Sequence, residues 1–120
     1  MSLPKKKSRK IIVNGVKYRW LGFATKYEGD DYAEIFVELF DNPRKKIKAT
    51  FTFSKLQKKY KEVGHKLFVP ADKPPPYIVR QTIIYALKNG WKPDEEGGVL
   101  DLGNLDEKLD YSLMKKQDVF

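Results

Sequence analysis

Apolar and polar residues alternate along this chain with two different periods. The change from one to the other divides a strand-rich first half from helical segments beyond it. Period two comes first. Val16, Tyr18 and Trp20 fall on one side of an extended segment, and Lys17 and Arg19 fall on the other. Residues 11–13 form a short apolar run before them, and Asn14-Gly15 lies between. Asn-Gly supplies the two positive φ angles of a type I′ turn, so residues 11–20 are predicted to fold as a hairpin. A third strand is predicted over 33–40. Ala33, Ile35, Val37 and Leu39 line one face, with Glu34, Phe36, Glu38 and Phe40 on the other, until Asp41-Asn42-Pro43 breaks it. A fourth runs over 47–53, with Ile47, Ala49, Phe51 and Phe53 inward and Lys48, Thr50 and Thr52 outward.

The period changes to that of a helix after Pro74-Pro75-Pro76. Proline is tolerated at the first helical position, because the N–H it lacks has no partner there. Val79, Ile83, Ala86 and Leu87 then follow the i, i+4, i+7, i+8 spacing of one apolar face. Asn89-Gly90 closes the helix, Trp91 packs back over its last turn, and Pro93 prevents continuation. Pro75 offers no side-chain acceptor for the first amides. This helix, about 76–89, is predicted to be the central one that covers the sheet.

Weaker signals complete the pattern. Ser54 with Gln57 reads as a capping box opening a short helix over about 55–63, with Leu56, Tyr60 and Val63 on its apolar face and Gly64 at its end. Residues 67–69 form a possible short strand, and 99–102 an edge strand. Asn104 with Glu107 reads as a second capping box, opening a C-terminal helix over about 105–116 with Leu105, Leu109 and Leu113 along its stripe. That stripe either docks on its own domain or forms a partner surface. The expected fold is α+β: an antiparallel sheet of four to six strands packed by the central helix, with the other two helices beside it. Residues 1–10 are expected to be a disordered basic tail and 11–120 a single domain.

Charge changes the picture more than composition does. Residues 1–93 carry 21 Lys or Arg against 8 Asp or Glu, and 94–120 carry 3 against 8, so a basic body meets an acidic end. Lys5, Lys6, Lys7, Arg9 and Lys10 crowd the N-terminus. Arg44, Lys45, Lys46 and Lys48 precede a second group, Lys55, Lys58, Lys59 and Lys61, on the outer face of the short helix. All are candidate contacts for an anion or a nucleic-acid backbone. Ordinary solvation is the simpler reading of each. On the outer sheet face Lys17, Arg19 and Lys48 would meet Glu34 and Glu38, the usual way to finish a solvated face. That mixture argues against a basic aromatic platform for RNA.

Candidate chemistry is sparse. Without cysteine there are no disulfides, thiolate metal sites or cysteine nucleophiles. His65 is the single histidine and has no identifiable companion for zinc or for general-base work. The carboxylates around Glu28, Asp30, Asp31 and Glu34 do not match a calcium loop and read as a solvated hairpin turn. No phosphate-binding glycine loop and no nucleophile elbow occurs. No cofactor is expected. No apolar run approaches the ~18–20 residues of a membrane span, and no apolar stretch follows the basic N-terminus as in a secretory signal, so a cytoplasmic location is expected.

Val13-Asn14-Gly15-Val16-Lys17-Tyr18-Arg19-Trp20 resembles the Val-x-Gly-x-x-Tyr-Arg-Trp strand of a family of small uncharacterised bacterial proteins. Val79-Arg80, Ile83, Tyr85-Ala86-Leu87 and Gly90-Trp91-Lys92-Pro93 resemble its Val-Arg-helix-Gly-Trp-x-Pro segment, with Pro75 where that family has threonine. The resemblance implies no known activity. Two functions are therefore expected from the residues: a small non-catalytic protein-interaction module of accessory or immunity type, or a basic nucleic-acid-binding domain that contacts phosphates without strong sequence preference.

Overall fold

Two tight turns start the fold. The computed structural model describes residues 3–4, 6–62 and 73–109. β1 (Arg9–Val13) and β2 (Val16–Tyr27) are joined by Asn14-Gly15, whose φ angles of 51° and 81° are those of the predicted type I′ turn. β3 (Asp30–Leu39) returns along β2 through a second two-residue turn, Glu28-Gly29, with φ of 51° and 86°. The carboxylates of this region therefore flank a hairpin tip. β4 (Lys46–Thr52) pairs antiparallel with β3, α1 (Phe53–Glu62) and α2 (Pro76–Lys88) follow, and β5 (Val99–Asn104) closes the sheet beside β4.

The described residues thus form an α+β fold with a five-stranded sheet in the order β1-β2-β3-β4-β5 and two helices. The sheet is mixed, not antiparallel throughout: β5 runs parallel to β4. The long connection through α1 and α2 permits this, since it can return the chain in the same direction. The helical layer also departs from a single central helix. α2 lies nearest β1, and α1 lies nearest β3 and β4, so the two share the apolar face.

The strand alternation holds on the helix-facing side, whereas on the outer face, expected to be solvated, Glu38 and Leu21 are buried. Ala33, Ile35, Val37, Ile47, Ala49 and Phe51 are fully buried against the helices. Phe53 leaves the alternation because α1 begins there, one residue before Ser54. On α2 the buried face is Tyr77, Ile78, Val79, Thr82, Ile83 and Ala86. Leu87 is 37% exposed and is replaced in the stripe by Thr82, whose hydroxyl donates to the Ile78 carbonyl at 2.8 Å and so enters the core satisfied. Burying a side chain such as Ile83 contributes about 1.5–3 kcal/mol. Asn89 caps α2, Gly90 takes φ 97°, and the Trp91 amide donates to the Ala86 carbonyl at 2.9 Å, which completes a Schellman motif.

Two termini of the expected arrangement differ. Arg9 and Lys10 belong to β1, and Leu3 is buried, its amide donating to Glu38 Oε2 at 3.1 Å. Arg19 reaches Ser8 Oγ at 3.2 Å. The N-terminal segment therefore crosses the sheet face opposite the helices, anchored by a carboxylate and a guanidinium, and is not wholly a solvated tail. At the other end residues 105–109 are not helical. The Leu105 amide continues the ladder to the Thr50 carbonyl at 2.9 Å and carries the side chain into the core at 0% exposure. Asn104 Oδ1 does accept the Asp106 amide at 2.9 Å, as a capping residue would. Residues 110–116 of the expected C-terminal helix, His65 and the possible strand at 67–69 lie outside the described residues.

Candidate functional site

β2 has 12 residues and β1 only 5. The β1–β2 ladder ends at the Arg9–Trp20 pair, whereas β3 follows β2 as far as Tyr27. Among the described residues nothing pairs with the outer edge of β2 beyond Trp20. Which backbone groups this exposes follows from one hydrogen bond. Phe40 N donates to the Lys17 carbonyl, so Lys17 and its odd-numbered neighbours point at β3. Gly22, Ala24 and Lys26 therefore turn their N–H and C=O groups outward. Every residue from Phe23 to Asp31 is exposed. An open row of paired donors and acceptors is a template for another strand.

The side chains around this edge are sorted by face. Arg9 pairs with Trp20 and shares its face with Gly22 and Ala24, where small side chains leave a notch. Leu21 and Phe23 lie on the opposite face, Phe23 edge-on to Phe36 with ring centroids 5.7 Å apart. A cavity of about 530 Å³ opens along the edge, with Leu21, Gly22, Phe23 and Ala24 beside Lys7, Arg9 and Lys73. No described carboxylate lines it. A second hollow of about 270 Å³ continues from Arg9 and Lys73 to Pro74, Pro75 and Pro76 at the start of α2.

Four of the other predicted cations lie within 4.0 Å of a carboxylate. Lys45 lies 4.0 Å from Glu95, Lys46 3.7 Å from Glu38, and Lys48 3.0 Å from Glu34. The hydrogen bond from Lys48 to Glu34, with the attraction of that carboxylate, holds the lysine's pKa above its usual value. Burial raises that of Tyr18. Arg44 is exposed in the β3–β4 loop. Lys55, Lys58 and Lys59 share a small hollow with Glu62 and Glu107, and Lys55 stands 4.0 Å from Asp106. Lys61 is exposed on the same helix. Lys6 and Lys7 are exposed, and Lys7 lines the cavity at the β2 edge. Lys5 lies outside the described residues.

Two of the three residues of the predicted partner stripe are described. Leu105 is core, Leu109 is half-buried against it, and Leu113 lies outside the described residues. Among the described residues no helix is long and apolar enough to cross a membrane. Sequence reasoning ends the second strand at Trp20 and so misses Gly22 and Ala24, and it misses Lys73 because only the packing of α2 near β1 brings that residue beside Arg9. The alternation of Leu21 and Phe23 with Gly22 and Ala24 was the available signal for the strand's extension. Compared with known proteins, the chain matches no family model, no curated protein and no solved structure.

Proposed function

We propose that this chain is a small non-catalytic, cytoplasmic protein-interaction module that binds an extended segment of its partner as an added strand along β2. The observation that carries this reading is the exposed edge of Gly22, Ala24 and Lys26, which β1 stops short of covering. Main-chain hydrogen bonds would supply affinity there, and the notch at Gly22 and Ala24 would select side chains.

Positive charge on a sheet edge has a simpler use, which is to prevent edge-to-edge association. The two uses are compatible. In a parallel pair of copies Lys7, Arg9 and Lys73 would face their counterparts, which disfavours that arrangement of a second copy. The nucleic-acid reading draws on the same net charge. It is the weaker one because Lys45, Lys46, Lys48 and Lys55 have carboxylates within 4.0 Å.

Selection from a displayed library of eight-residue peptides tests the proposal. Binders should protect the amides of Gly22, Ala24 and Lys26 from hydrogen exchange. They should be lost in Ala24→Pro, which removes an outward N–H and leaves the β2–β3 ladder intact. A library that yields no binder sensitive to this substitution overturns the reading. The melting curve of the variant reports whether it is folded.

A further inference from the structure

We infer that the segment accepted by β2 is acidic on one face and apolar on the other, with aspartate or glutamate at every second position. The inference rests on the strand-addition reading and names the partner's chemistry. It follows from the alternation of an added strand. Side chains of the incoming segment opposite Gly22 and Ala24 stand on the face of Trp20 and Arg9. There they meet Arg9 and Lys73, with Lys7 also on the cavity, and no described carboxylate competes for those cations. Gly22 and Ala24 are short, so a side chain as long as glutamate can lie over them and reach the guanidinium.

The intervening side chains stand on the other face beside Leu21 and Phe23. Phe23 is 43% exposed although it packs against Phe36, so an aliphatic neighbour would cover area that water now touches. The far end of the strand differs. Lys26 is already 4.0 Å from Asp31, so the cationic demand is concentrated near Arg9 and fades toward the hairpin tip.

The experiment uses two labelled eight-residue probes, one alternating valine with glutamate and one alternating valine with lysine, together with an oligothymidylate. The full chain should bind the glutamate probe about tenfold more tightly than the lysine probe at low salt, with the difference shrinking as salt rises. Arg9→Glu combined with Lys73→Glu should reverse that preference, and the gain of lysine-probe binding guards against a misfolded variant. Equal binding of both peptides, abolished by Ala24→Pro, overturns the acidic inference and leaves strand addition standing. Tighter binding of oligothymidylate, unaffected by Ala24→Pro, overturns both in favour of a nucleic acid. Absence of any peptide binding also overturns both. So does a dimer in sedimentation whose edge amides are protected without a probe.

Discussion

The amide of Thr52 donates to Oδ1 of Asp106 at 2.8 Å, joining positions 54 residues apart. Thr52 ends β4 and immediately precedes α1, so the carboxylate sits at the start of that helix. Its other oxygen lies 4.0 Å from Lys55. A single acid thereby ties the strand–helix corner to the segment after β5, and Leu105 beside it is driven into the core.

Asp106→Ala should destabilise the fold by about 1–3 kcal/mol, because the Thr52 N–H loses its acceptor in a part-buried corner. Asp106→Asn keeps an acceptor oxygen and should lose less. Leu105→Ala should cost about 2–5 kcal/mol through the cavity it leaves. Urea unfolding of the three variants checks the order, and equal losses for Asp106→Ala and Asp106→Asn would assign the effect to charge alone.

Trp91 holds the end of α2 against the sheet in two ways. Its indole N–H donates to the Lys45 carbonyl at 3.1 Å, and its ring lies tilted to Tyr18 with centroids 5.7 Å apart. Trp91→Phe keeps most of the ring contact and orphans that carbonyl. A loss of about 1–3 kcal/mol is expected, measured by denaturant titration.

Glu38 is fully buried, and among the described residues its Oε1 makes no hydrogen bond. That oxygen lies 3.7 Å from the Lys46 ammonium. Lys46→Met should therefore cost about 3 kcal/mol, because it strips a buried carboxylate of its counter-charge. The double variant Glu38→Gln, Lys46→Met should recover a large part of that loss. A double-mutant cycle with no coupling between the two positions would show that the pair is not acting as one.

Alkaline solution should weaken the fold through two groups with the same sign. Lys48 has its pKa raised chiefly by the hydrogen bond to Glu34, and Tyr18 has its pKa raised by burial. Each keeps its proton longer in the folded chain than in the unfolded one. The stability they contribute is complete below the ordinary values, near about pH 10, and is lost as pH rises through the raised ones. Thermal melts across about pH 9 to 12 should show the decline, and Glu34→Gln should flatten it in part, leaving the contribution of Tyr18. A slope unchanged by Glu34→Gln would remove Lys48 from this account.

Local chemistry made much of the fold legible. Asn14-Gly15 dictates its turn whatever surrounds it, because few residue pairs accept two positive φ angles. Ala33 through Val37 and Ile47 through Phe51 read as strands because a period of two admits only one buried face. Pro76 and Gly90 bracket α2 for equally local reasons. The mixed charges of the outer sheet face were legible too, since alternation places Lys48 and Glu34 on one surface.

The candidate site was not legible, because it depends on lengths compared between strands. That β1 ends at the partner of Trp20 while β2 continues to Tyr27 is a property of the pair, visible in neither segment alone. Lys73 joins Arg9 only once α2 is packed near β1. Leu105 reads as one position of a helical stripe until the Thr50 carbonyl claims its amide for the ladder. Sequence by itself determined which backbone conformations were cheap and which face of each element avoided water. Tertiary structure alone decided which edges found partners, because pairing is settled by how far one strand runs beside another.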